Sequence, residues 1–531
     1  MELRELRAWR TIGACAWSCL VCGCVAHVLL RKSAAKTAMA WTLAVLPAAT
    51  ARARAARAAT PSGRKERRKA TVVDAACVFA GVGCAAVLGA PATLAAMDVR
   101  HLFPGASGTC MDTLHVLDGN ARKSGLTVDA NDRMETDTKQ VCAFGIVLAV
   151  VHTWKCVLRS ENVLAFPVVQ RHRLYRWKQA FLENVADAMV GSLLGATVHA
   201  GIVCAVERSL LALGPRQFLV LLHMGWFLSF CWETAGAIVD IVFTEHVCFG
   251  KQPPDAASQR AHSKALLEQL QEQDEYLGHL AFWDLACLAG KKGPGEWRQR
   301  LIYDDESGKV WEGVAKACFA PLNTVLMELS TELKKVKKDA PQKKTEARQW
   351  NTQYIFSTYL PDKAAAENGV FAVEAGYQKC VWAGEALSHF IVDAKTKDSF
   401  GILQLSDYGI GRVVRLMVSA LCVIETFIAQ YSSAFSEPSW IDAFSGQNFV
   451  KWVSSRTKQG NAGRRVDFGY KNSIDRACYA LYDSIQVSLY RIVDAYGPEL
   501  EVLVAQVVTK PESQSREVVL AKLRKLVEYA E

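Results

Sequence analysis

The sequence predicts an all-α protein with about six transmembrane helices followed by a soluble α-helical C-terminal domain. Three observations carry that expectation. Long apolar runs crowd residues 1–244 and then stop. The basic excess sits in the same half, with 27 Lys and Arg against 17 Asp and Glu in 1–244, but 35 against 36 in 245–531. Apolar residues of the second half recur every three or four positions, the period of amphipathic helices.

The first run, 11–30, has the about 20 mainly apolar residues that a bilayer crossing needs, interrupted only by His27. Residues 37–51 form a shorter run around Pro47. Residues 71–97 follow, with Asp74 near their start. The fourth run, 141–157, is apolar up to Thr153, and the last two are 187–206 and 218–243. A cleaved signal peptide is the alternative for the first run. Its apolar core exceeds the usual ~7–15 residues, and another run follows at once, so a retained helix is expected.

The segments 1–10, 31–36, 52–69, 98–140, 155–186 and 207–216 hold 3, 3, 8, 5, 6 and 2 Lys and Arg in chain order. Alternate segments therefore carry 3, 8 and 6 against 3, 5 and 2. Positive charge marks the cytoplasmic side, so six spans with both termini cytoplasmic fit best. Loss of the 37–51 span would turn the N-terminus to the other side. The 98–140 loop is then lumenal, where its single Cys110 has the chance to pair between chains. The 155–186 loop is cytoplasmic and basic.

Within that loop, Arg171, Arg173, Arg176 and Lys178 interleave with Leu174, Tyr175, Trp177 and Phe181. The stretch 166–182 fits a helix lying among headgroups, apolar face down and basic groups on anionic lipid. It fits an ordinary positive-inside loop equally well. Arg171, Arg173, Arg176, Trp177 and Lys178 are the candidate membrane-surface residues.

Ionisable groups inside the runs are Asp74, His152, Asp187, His199, His223, Glu233 and Asp240. Glu233 lies deepest, beside Trp232. Intramembrane charges mark ion or proton pathways, or else hydrogen-bond to a Ser, Thr or His of a neighbouring helix. The second reading is favoured, because no second acid obviously joins Glu233.

Hydrophobic residues at 51%, charged residues at 22% and a mean hydropathy of +0.08 exclude a disordered polyelectrolyte and a collagen-like fibre. The net charge of +9 does not point to nucleic acid, since its excess is not on the soluble part. Of 17 Cys, 11 precede residue 245, mostly within apolar runs, where they act as small hydrophobes. Cys15, Cys19 and Cys22 share a helix face with no matching ligands elsewhere. No paired CxxC motif exists, so neither a metal site nor a cofactor is expected.

Beyond residue 244, Ile410, Val413, Val414, Met417, Leu421, Ile424 and Phe427 form one apolar stripe. Ile474, Cys478, Leu481, Ile485, Leu489, Ile492 and Tyr496 form another. Both read as core faces of soluble helices. The Lys-rich stretch 334–349 reads as a helix end running into a mobile linker. Searches for GxxxxGK[ST], HExxH and GxSxG find nothing, so no catalytic centre is expected.

The order of these features resembles the integral-membrane nucleoporins of the Ndc-one family. The family's FP-x-x-Q segment after the fourth span matches Phe166, Pro167 and Gln170, followed by the four basic residues. Its WE pair and T-E-x-x-x-F run match Trp232, Glu233, Thr244, Glu245 and Phe249. Its LAFxDL segment matches 280–285, with Asp284. An R-x-x-[IL]-[FY]-x-[DE] element with G-x-x-W matches Arg300, Tyr303, Asp305, Gly308 and Trp311. A later L-S and D-x-[FY]-G-x-x-Q pair matches Leu387, Ser388, Asp398, Phe400, Gly401 and Gln404. Lys397 stands where the family has an acid, and 321–380 matches little. The resemblance implies a non-enzymatic anchor that holds the inner-ring scaffold of the nuclear pore complex on the pore membrane. It implies membrane lipids, an RRM-like inner-ring nucleoporin and an Aladin-type WD-repeat protein as partners, with no nucleic acid, small-molecule substrate or cofactor. The competing readings are a six-span transporter or channel with a cytoplasmic regulatory domain, and a membrane-bound enzyme acting on lipid.

Overall fold

A computed structural model describes residues 5–30, 34–59, 64–96, 130–158, 162–167, 170–207, 215–249, 266–271, 274–290, 296–339, 363–431, 473–497, 499–507 and 521–524. Nearly all of them are helical. Residues 98–129 of the expected lumenal loop, with Cys110, fall outside them, while 130–140 are helical and begin a helix that runs on to Leu158. The part of the expected linker beyond Asp339 also falls outside. Two compact units are present. The described residues of the first lie within 1–57 and 68–245, and those of the second within 58–67 and from 246 onward.

The first unit contains α1 (Leu6–Leu30), α2 (Ala34–Ala55), α3 (Arg64–Ala96, apart from its first turn), α4 (Ala130–Leu158), α5 (Arg173–Glu207) and α6 (Pro215–Phe243). Helix α6 is central, packing on α1, α2, α4 and α5. Its span is 72% buried against 22% for that of α5. The exposed face of α5 carries Leu182, Met189, Leu193, Leu194, Val198 and Ile202. Such a continuous apolar exterior suits hydrocarbon, not water. Inside, Val45, Val82, Phe144, Leu148, Met224, Leu228 and Trp232 form the core. Close approach depends on small residues, as in membrane helix pairs generally. A Cβ at Gly81 of α3 would collide with Ala51 of α2 and come within 2.6 Å of the Pro47 carbonyl oxygen.

Among the described residues, five helices are long and apolar enough to cross a membrane. Four correspond to expected spans: Glu66–Ala90, Gln140–Val157, Arg173–Val206 and Gln217–Phe243. The expected spans 11–30 and 37–51 fall on α1 and α2, which are helical but not among the five. The fifth is Ile410–Gln430, read from sequence as a soluble core helix. Length and composition alone admit it as a span. Yet its stripe from Val413 to Phe427 is buried, while Arg412 and Glu425 stand exposed on the other side.

The second unit continues with α7 (Glu275–Ala289), α8 (Glu296–Tyr303), α9 (Lys309–Asp339), α10 (Lys363–Lys397), α11 (Ile402–Leu405), α12 (Ile410–Tyr431), α13 (Ser473–Tyr496) and α14 (Glu499–Val507). Helix α10 is its axis, packed by α7, α9 and α13, while α12 closes against α9, α13 and α14. The stripe from Ile410 to Phe427 and, in the second stripe, the residues from Cys478 to Tyr496 face this core. Trp283 and Trp382 stack with centroids 5.9 Å apart. Tyr303 and Tyr496 donate their hydroxyls to the Phe390 and Ile391 carbonyls at 2.8 and 2.9 Å. Helix α9 runs to Asp339, so the first residues of the expected linker are helical. Strong helix formers and the absence of Gly or Pro let it continue there.

Candidate functional site

Three helices of the first unit bring four titratable side chains together. Helix α4 supplies His152 and Lys155, one turn apart on one face. Helix α5 supplies Asp187 and α6 supplies Glu233. Lys155 Nζ donates to Glu233 Oε1 and lies 3.1 Å from Asp187 Oδ2. His152 Nδ1 is 3.3 Å from the same Glu233 oxygen. Trp232 meets the His152 ring edge-on at 5.4 Å. The sequence offers Glu233 a Ser, Thr or His of a neighbouring helix and no second acid; here the neighbour is His152. Asp187 reaches Glu233 through Lys155. That lysine had been assigned to a loop, because the apolar run fades near it while the helix continues to Leu158. Two acids and two bases compensate one another, which is how charge becomes tolerable in hydrocarbon. Asp74 and Asp240 are likewise matched, by Arg57 at 2.8 Å and Arg52 at 3.1 Å.

The C-terminal end of α6 is gripped by arginines. A helix ends with four carbonyls lacking partners and a partial negative charge. Arg10 donates to the Phe243 carbonyl and, at 2.8 Å, to that of Glu245. Arg176 donates to the Ile241 carbonyl at 3.1 Å and the Thr244 hydroxyl at 2.7 Å. Arg173 pairs with the Glu245 carboxylate, Nη2 to Oε2 at 2.7 Å. Of the surface candidates, Arg173 and Arg176 thus serve an internal joint. Arg171 lies over the Tyr175 ring at 4.9 Å, Trp177 meets Phe181 edge-on, and Lys178 is exposed. Among the described residues of 166–182 there is no headgroup helix separate from α5. Helix α5 starts at Arg173 and runs into the span, since no Gly or Pro interrupts it before Gly191. Phe166 and Pro167 are half-buried and Gln170 is exposed.

In the second unit, Asp284 of α7 is fully buried. It accepts from Arg298 Nη1 at 2.6 Å and Nη2 at 3.2 Å, from the Phe249 backbone at 3.0 Å, and from His246 Nε2 at 3.1 Å. Arg298 also donates to the Phe249 carbonyl at 3.0 Å. These bonds fasten the extended segment 246–249 onto α7 and α8. Burial alone would raise the Asp284 carboxyl; its bonds to His246, Arg298 and the Phe249 amide hold it below the usual range. Burial would lower His246, but its bonds to Asp284, Cys248 and Cys287 raise it to about 11. Ligand atoms of His246, Cys248 and Asp284 lie within 4.8 Å of one another. No sequence spacing rule had put them together.

The motif arginine, Arg300, is exposed; Arg298 does the buried work. Helical spacing contained that signal. Counting back four from the core residues Ile302 and Tyr303 reaches Arg298 and Gln299, leaving Arg300 outside. The other motif residues are turn-makers or core. Asp305 accepts from the Val310 amide at 2.9 Å, and Gly308 (φ +65°) permits the turn into α9. Trp311 is fully buried and donates to the Tyr408 carbonyl at 3.3 Å. Asp398 accepts from the Ile402 and Leu403 amides, both at 2.9 Å, across Gly401 (φ +66°). Gln404 is exposed.

A comparison with curated proteins finds no match. The family model described as nucleoporin protein Ndc1-Nup matches residues 140–375 and 361–507. That range takes in most of α4 and all of α5 to α14, with the ionic cluster, the Asp284 hub and the α6 clamp apart from Arg10. The chain therefore belongs to the Ndc1-Nup family and is a multi-pass transmembrane nucleoporin of all-helical build.

Proposed function

We propose that this chain anchors the inner-ring scaffold of the nuclear pore complex to the pore membrane and supports pore assembly. The observation that carries the reading is the family match across most of the chain. In this reading residues 1–244 are the membrane domain and 245–531 the scaffold-binding domain. Both termini face the cytoplasm and pore, and 98–140 faces the lumen. The second unit offers rigid helices as a docking surface for an RRM-like inner-ring nucleoporin and an Aladin-type WD-repeat protein. Arg171 and Lys178, with Trp177, meet anionic headgroups, and Arg173 and Arg176 add charge to that side.

Affinity capture of the full-length chain at native abundance tests the reading. Co-isolation of inner-ring nucleoporins is expected. Recovery of the chain with no pore component would contradict it.

A further inference from the structure

We propose that the start of α3 holds an anionic glycerophospholipid, with the lipid phosphate on Arg68 and Lys69 and an acyl chain along the helix below them. Residues 64–69 carry five bases against one acid, Glu66, just before the apolar run 71–97. Neighbouring arginines are engaged inside the protein: Arg52 pairs with Asp240, Arg57 with Asp74 and Arg67 with Glu374. Arg68 and Lys69 are exposed and bond to no side chain among the described residues. Arg64 and Lys65 stand one turn earlier in the same helix. Clusters of ~4–8 bases at the cytoplasmic end of a span bind anionic headgroups. The inference rests on the orientation proposed above, which puts this end of α3 on the cytoplasmic side.

The apolar surface below these bases favours a lipid over a soluble anion. Successive residues turn about 100° around a helix, so Lys69, Val72, Ala76 and Phe79 fall within about 80° of one another, and Arg68 borders them. This side of α3 is open: Val72 is 67% and Phe79 40% exposed, and Ala76 is exposed as well. The opposite side is closed, with Asp74, Val78 and Ala85 buried. The two unengaged bases thus stand over the face that hydrocarbon covers, not over the face that packs. A topology signal needs only a number of bases, whereas a bound lipid needs this alignment. Phe79 is ten residues beyond Lys69, about 15 Å along the axis and half the depth of a ~30 Å hydrocarbon core. An acyl chain in one leaflet therefore runs from a phosphate at Lys69 down to Phe79.

Native mass spectrometry of the full-length chain in detergent tests the proposal, with phosphatidylcholine, phosphatidylserine or phosphatidylinositol 4,5-bisphosphate added in turn. At least one of the two anionic lipids should bind at least tenfold more tightly than phosphatidylcholine, and which one does so identifies the headgroup. The double variant Arg68→Gln, Lys69→Gln should carry one anionic lipid fewer. The charge-keeping exchange Arg68→Lys, Lys69→Arg should retain it, as should Lys316→Gln on α9. Water-soluble inositol 1,4,5-trisphosphate should bind at least tenfold more weakly than the lipid. Melting temperatures confirm that each variant is folded. Equal retention of all three lipids overturns the proposal, as does a folded double variant that keeps every bound lipid. The soluble headgroup binding as tightly as the lipid would also overturn it. Binding in detergent does not depend on membrane orientation, so this inference and the proposed orientation fail separately.

Discussion

Arg298 holds Asp284 with both terminal guanidinium nitrogens, at 2.6 and 3.2 Å, where the carboxylate has no exposed surface. Removing one partner of such a pair strands a charge in a low dielectric and costs about 3–5 kcal/mol. Arg298→Met should therefore destabilise the second unit by that amount, seen as lost hydrogen-exchange protection in α7 and α8. Replacing both, with Asp284→Leu added, should recover much of the loss. A single substitution costing less than about 1 kcal/mol would show the pair to be less buried than described.

The Glu233 cluster separates its members by consequence. Lys155→Met leaves Glu233 and Asp187 without their shared cation, whereas Glu233→Gln keeps shape and leaves Lys155 with Asp187. Lys155→Met should lower the yield and melting temperature of purified chain more than Glu233→Gln. Equal effects would argue against a shared lysine. Vesicle flux lost on Glu233→Gln, with stability retained, would favour transport.

His279 gives the second unit an acid-sensitive element. Burial, and then the nearby Lys379 ammonium, push its imidazole down to about 3, against the bond from Nδ1–H to the Glu275 carbonyl at 2.7 Å. The charged groups around it are Lys379 on α10 and, facing that lysine, Asp274 and Glu275. A base that stays neutral when folded lets the unfolded chain bind the extra proton. Its stability contribution is thus complete above pH ~6.5 and is lost as pH falls towards 3. The chain should lose up to about 1.4 kcal/mol per pH unit in that window, and His279→Leu should flatten that slope. Denaturation midpoints at pH 7, 6 and 5 decide the matter. An unchanged slope in the variant would contradict it.

The turn before α11 rests on two residues. Asp398 accepts from two backbone amides, and Gly401 occupies the left-handed region. Asp398→Ala should cost about 0.5–2 kcal/mol as a lost cap. Gly401→Ala should cost about 1–2 kcal/mol through backbone conformation. Proteolysis at 398–409 should accelerate in both; unaltered cleavage would show the turn to be held by its neighbours.

Periodicity made the helices legible, because apolar faces repeat with the backbone that buries them. The stripes from Ile410 and Ile474 needed no partner to be read. Partnership between distant residues was not legible. Nothing local links Lys155 to Asp187 and Glu233, or Arg10 to the end of α6 at Phe243. Loop boundaries misled for a physical reason. Hydropathy falls at Lys155 and over 173–182, but helical hydrogen bonding continues through both, and Lys155 and Arg176 sit on packed faces. The ordered family motifs found Asp284 but named Arg300 beside it, one face away from Arg298.

Fluorescence imaging of a C-terminally tagged chain at native abundance, with a pore marker, tests the central claim most directly. A punctate nuclear rim coinciding with pores is the result this account predicts. A plasma-membrane, vacuolar or uniform reticular pattern would contradict it.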